Sequence, residues 1–97
     1  MAVALHVVAR TGMLQPPLAA ALRDCIQAHA EAGLVVRVVL LHDAVARAAW
    51  VRAMPEVSSV HPRAEDCRRR ALAVPSDALE DAEIITLFAG ADRVASW

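Results

Sequence analysis

The chain is predicted to fold as a single small α/β domain, a mostly parallel sheet of four or five strands with helices on both faces. Three observations predict it. Short apolar runs alternate along the chain with segments of helical period. The stretch Leu34 to Leu41 is almost continuously apolar rather than alternating, as a parallel strand covered on both faces should be. Finally, 97 residues that are 58% hydrophobic but only 3% aromatic allow one core of Ala, Val, Leu and Ile, and no second. The domain is therefore expected to span residues 1–97, its parallel strands joined by right-handed crossovers.

Val3 to Val8 is a short apolar run suited to the first strand, and Arg10-Thr11-Gly12 breaks it. Pro16 and Pro17 stand where a helix can begin. Leu18, Ala21, Leu22, Cys25, Ile26 and His29 follow the spacing of one helical face, and Gly33 is a natural stop. After the strand Leu34 to Leu41, Asp43 is placed to cap a helix from Ala44 to Met54, which Pro55 ends. Val57 to Val60 reads as a third strand. His61-Pro62 opens a short helix to about Arg70, with Glu65–Arg69 and Asp66–Arg70 at i, i+4. Ala71 to Val74 reads as a fourth strand, and Asp77 with Glu80 has the spacing of a capping box. A last helix carries Leu79, Ala82, Ile85, Leu87 and Phe88 and stops at Gly90, ahead of a terminal strand, Val94 to Trp97.

Composition excludes several classes of function. A net charge of −1 and a pI near 6.4 provide no field for nucleic acid or anionic membranes. Arg37 interrupts the most apolar run, so no membrane span is expected. The opening MAVALHVVAR lacks the basic region and long apolar core of a secretory signal. Two cysteines do not make a disulfide framework, so the chain reads as cytoplasmic with reduced thiols. No GxGxxG, Walker or GxSxG motif occurs among only three glycines, and no cofactor is expected. The high apolar content predicts that a partner subunit covers part of the surface.

In parallel sheets, ligands gather at the carboxyl ends of the strands. Those ends fall at Arg10-Thr11, His42-Asp43, His61-Pro62 and Pro75-Ser76. His42, His61 and Asp43 therefore read either as an acid–base or small-molecule pocket, or as hydrogen-bonding and capping groups. No HxxxH or CxxC spacing is present, and no metal is expected. Cys25 is either a sulfur-accepting thiol or a small hydrophobe on the apolar face of the first helix. Cys67, in EDCRRR, has three arginines that favour a thiolate and two acids that oppose it; it also fits the buried side of its helix. The RRR run fits a solvated face with local ion pairs, or a dock for an acidic partner protein or a tRNA, the last disfavoured by its acidic neighbours and the lack of interleaved aromatics.

Four stretches, in order over nearly the whole chain, resemble the DsrH/TusB family. LHVVART, Leu5 to Thr11, is similar to the family's LHxVN(K/R)S opening. VLLHDAV, Val39 to Val45, is similar to its LLLxDGV, EDCRRRAL, Glu65 to Leu72, to its DLxARGL, and DRVASW, Asp92 to Trp97, to its close in VxxW. The resemblance implies a small parallel α/β protein of the DsrE/DsrF/DsrH group, acting in a cytoplasmic relay that passes sulfur as a cysteine persulfide. It implies DsrE/DsrF-like (TusD/TusC-like) subunits as partners, in a hetero- or homo-oligomer, and a TusA-like carrier as donor. The pathway would be 2-thiouridine formation at the tRNA wobble position or dissimilatory sulfur oxidation. The acceptor cysteine of the DsrE branch has no counterpart here, since Val60-His61 stands in its place. Leu22-Arg23-Asp24-Cys25 matches the LxxC setting of some DsrH-type members and makes Cys25 the candidate acceptor. Cys67 takes the place of an apolar residue, and Ala44 and Ala71 replace two glycines of the family pattern. Two functions stay open: a persulfide-transferring subunit, or a non-catalytic one that completes an oligomer whose active thiol lies on a partner.

Overall fold

In the computed structural model, which describes residues 1–97, four strands lie in the order β3-β2-β1-β4, and every pairing is parallel. They are β1 (Val3–Val8), β2 (Val35–Leu40), β3 (Ser59–Pro62) and β4 (Arg93–Ser96). The helices are α1 (Leu18–Glu31), α2 (Ala48–Arg52), α3 (Ala64–Arg69) and α4 (Asp81–Gly90), with 3-10 segments at Thr11–Leu14 and His42–Arg47. The chain steps outward from β1 to β2 and β3, then returns to the far side of β1 for β4. Crossovers of one hand therefore put α1 and α2 on one face and α4 on the other.

Burial follows this division. Val8, Val36, Val38 and Leu40 point into the larger core, beneath Leu22 and Ile26 of α1 and Val51 of α2. Leu5, Val7 and Val39 point the other way and meet Ile84 of α4. Val36 and Val38 thus face one covered side of the sheet and Val39 the other, which explains the nearly continuous apolar run. The α4 side is thin: four residues are buried there against fourteen opposite. Ile85 remains 67% exposed, Phe88 40% and Val94 47%, so an apolar surface runs along α4 and the β4 edge. No helix is long and apolar enough to cross a membrane.

The structure departs from the sequence reading at particular joints. The helix expected over Ala44 to Met54 is a 3-10 segment followed by a short α-helix. The third strand lies two residues later than its apolar run suggests, because Val57 packs against the core rather than pairing. The expected fourth strand, Ala71 to Val74, does not form. Ala71 has φ 52, and the chain turns back there: Leu72 N–H donates to the Cys67 carbonyl and Ala71 N–H to that of Arg68. This pair of bonds is a Schellman motif with Ala71 at the left-handed position. The capping box of α4 is formed by Glu80 and Glu83, while Asp77 instead pairs with Arg52 at 2.6 Å. Arg68 and Arg69 of the arginine run form a solvated ion-pair face, Arg68 with Glu65 and Glu80 and Arg69 with Glu65, whereas Arg70 turns to the buried Asp66 at 3.6 Å.

The same motif ends α1, where Gly33 takes the left-handed position at φ 83 and Leu34 N–H donates to the His29 carbonyl. Glycine is at ease there; an alanine pays with a Cβ crowded against the backbone. Replacing Ala71 by Gly should therefore raise stability by about 1 kcal/mol. A urea midpoint that does not rise, with an unchanged slope, would contradict this account of the turn.

Candidate functional site

Strand alternation points His6 of β1 toward α1, between Ala4 and Val8, and the ring is fully buried. Helical spacing puts Cys25 and His29 one turn apart at the rim of the buried stripe of α1, both half-buried. The β4 ladder continues past Ser96: Trp97 N–H donates to the Val7 carbonyl and Ala9 N–H to the Trp97 carbonyl. That anchors the indole beside β1. Trp97 Nε1–H donates to His6 Nδ1 at 3.0 Å, and His6 Nε2 lies 2.9 Å from His29 Nδ1.

These contacts fix the tautomers. An indole nitrogen only donates, so His6 Nδ1 must be the acceptor, and the neutral ring carries its proton on Nε2. Nε2–H then donates to His29 Nδ1. Burial, and then the nearby His29 when charged, push the His6 pKa down to about 4, so His6 is neutral at neutral pH. One sulfur and two imidazole nitrogens from Cys25, His6 and His29 lie within 4.8 Å of one another. The group lies between α1 and β1, beside the end of β4 that carries Trp97.

The ends of β2 and β3 make a second, separate constellation. His42 has φ 52, a left-handed backbone that is uncommon for histidine. Its N–H donates at 2.8 Å to Oδ2 of Asp66, a buried carboxylate on α3. Asp66 Oδ1 accepts no well-formed hydrogen bond, although Arg63 lies 3.3 Å away and the His42 ring 4.0 Å. Burial alone would raise the carboxyl pKa; the His42 N–H and Arg63 outweigh it and hold Asp66 below its ordinary value. His42, Arg63, Asp66, Asp81 and Ile84 line a cleft of about 390 Å³.

The remaining candidates are each engaged in contacts within the fold. Asp43 does not cap its own helix; it accepts from the N–H and the hydroxyl of Thr11, both at 3.1 Å, and ties the loop after β1 to the loop after β2. His61 is engaged through both ring nitrogens: Nδ1 with the Asp77 carbonyl and Nε2 with the Ser59 hydroxyl, both at 2.9 Å. It does not line the His42 cleft, so the pocket that would join the two histidines does not form. Cys67 is buried, and its thiol is pushed up by burial and by Asp66, against the weaker pull of Arg68, Arg52 and Arg70. The flanking acid and the core therefore outweigh the arginine run.

His6, His29, Trp97 and Asp66 belong to these two constellations, and the sequence pattern did not single them out as site residues. Cys25-x-x-x-His29 is a one-turn helical spacing that does signal a shared face. The other contacts join residues as far as 91 apart in sequence, and no local pattern carries them. His6 and Trp97 each belong to a stretch that resembles DsrH/TusB; here those two stretches meet side by side.

No protein-family profile matches the chain, and no curated protein matches it by sequence. Among solved structures it is similar to the ychN protein from E. coli, with a TM-score of 0.75, 17% identity and 100% of both chains covered. The two proteins share one parallel α/β fold from end to end.

Proposed function

We propose that this chain is a DsrH/TusB-type subunit of a cytoplasmic sulfur-relay complex, with Cys25 as its sulfur-accepting residue. The observation that carries the proposal is the contrast between the two thiols. Cys25 is half-buried at the rim of α1, within reach of another protein, whereas Cys67 is only 2% exposed, at the bottom of a cleft beside α2. The four stretches that resemble DsrH/TusB and the fold shared with the ychN protein support it.

The step is a thiol exchange. The Cys25 thiolate attacks the outer sulfur of a persulfide on a TusA-like carrier. A new S–S bond forms at Cys25, the carrier's S–S bond breaks, and the carrier leaves as a thiolate. The proton moves between the two sulfurs through solvent, and no external oxidant or reductant is consumed. A second thiolate, on the next carrier or on a DsrE/DsrF-like subunit, repeats the step toward either tRNA thiolation or sulfur oxidation.

Incubation with a persulfidated carrier should add one sulfur atom to this chain by intact mass, and Cys25→Ser should abolish the adduct. An adduct that survives Cys25→Ser would remove Cys25 from the mechanism. The apolar surface of α4 and β4 supports a second reading, a docking subunit that completes an oligomer whose thiol lies on a partner. An adduct found on the partner alone, in a complex that needs this chain to assemble, would select that reading.

A further inference from the structure

Persulfide transfer uses one of the three groups gathered at α1 and β1. The histidines need their own account. Cys25, His29 and His6 bring one sulfur and two imidazole nitrogens within 4.8 Å of one another. We propose that these three residues form a binding site for a single thiophilic metal ion of the Zn²⁺ or Cu⁺ class, and that Trp97 weakens it.

The donor set selects this class of ion. A thiolate with two imidazoles is soft to borderline and suits Zn²⁺ and Cu⁺, whereas Mg²⁺ and Ca²⁺ require oxygen. Three protein ligands leave a fourth position for water or another ligand. Cys25 and His29 are half-exposed and provide the way in; His6 is buried and forms the floor. Two ligands come from one turn of α1 and the third from the central strand beneath, so elements already fixed by the core hold all three.

Proton accounting gives Trp97 its role. Zn²⁺ uptake needs the Cys25 thiol proton to leave, and one proton is released to solvent. It also needs a lone pair on His6 Nε2, so the proton there must shift to Nδ1. Nδ1–H would then face the Trp97 Nε1–H, donor against donor, at the present 3.0 Å. A metal-bound histidine ordinarily donates its other N–H to an acceptor; here the outer partner has the opposite polarity. The Trp97 contact and the metal-bound state of His6 therefore exclude each other, and removing the indole donor favours the ion.

The test is titration of the reduced full-length chain with Zn²⁺ alone against a competing chelator, and with Co²⁺ to read thiolate charge-transfer absorption. One ion per chain is expected. Cys25→Ser and His29→Ala should each weaken binding by roughly tenfold or more. Cys67→Ala should leave binding unchanged. Trp97→Phe should tighten it by roughly severalfold, which simple loosening of the fold would not do. Absence of one-to-one binding, or binding that survives Cys25→Ser, would overturn the site; Trp97→Phe affinity equal to or below wild type would overturn the role of Trp97. No sulfur donor is present in this experiment, so its outcome is independent of the persulfide assay.

Discussion

Stability should fall by about 3 kcal/mol as the pH is lowered from 6.5 to about 4, and His6 should account for most of that fall. The folded protein holds His6 neutral: the ring is buried, and Trp97 already donates to the nitrogen that a second proton would occupy. In the unfolded chain His6 titrates at its ordinary value of 6.5. Between that value and about 4 the unfolded chain binds a proton that the folded chain refuses, so stability drops as the pH falls. Below about 4 the folded chain takes up the proton too, and the loss levels off. His6→Phe keeps a ring in the site but cannot titrate. It should cost about 1–2 kcal/mol at neutral pH, because the indole N–H loses its acceptor, and should flatten the acid slope. Urea midpoints across this range measure both effects. A variant with the wild-type slope would show that the pH dependence arises elsewhere.

The sheet was legible because its driving pattern is local. Val3 to Val8 and Leu34 to Leu41 are largely apolar, valine-rich runs of strand length, and both form strands. Gly33 marked the end of α1 because the left-handed position of that turn suits glycine. Ala71 occupies the same position after α3 without the glycine that would announce it, so Ala71 to Val74 read as a strand where the chain turns back. The capping box misread Asp77 for the same kind of reason: the spacing Asp77–Glu80 fits, but so does Glu80–Glu83, and Arg52 holds Asp77 elsewhere. Site geometry was harder. Cys25 and Asp43 were visible as residue types, yet the partners that define them arrive from other elements. Thr11 reaches Asp43 across the loops of two strands, and Trp97 reaches His6 across neighbouring parallel strands. The structure also moves weight from Asp43 to Asp66, which the sequence presents as one more acid in a charged helix.

Asp66→Ala should destabilise the fold by about 3 kcal/mol. The carboxylate is 1% exposed, and it holds three things at once: the His42 N–H at 2.8 Å, Arg63 at 3.3 Å and Arg70 at 3.6 Å. Arg63 keeps a second partner, since its guanidinium also grips Asp81 through two bonds of 2.7 and 3.0 Å. The loss therefore falls mainly on His42, whose N–H would be left unpaired in a backbone conformation that already costs energy. Asp66→Asn keeps an oxygen for that N–H and should cost roughly half as much. The two variants also separate a second acid window from that of His6. The Asp66 pKa is held below 3.8, so its contribution is present above the ordinary carboxylate range and is lost as the pH falls through and below that value. Asp66→Asn should lack this lower limb while keeping the one between 6.5 and about 4 that belongs to His6. An Asp66→Ala protein as stable as wild type would mean that the left-handed turn at His42 is held by its neighbours on β2. The cleft between β2 and α4 would then need no buried carboxylate to keep its shape.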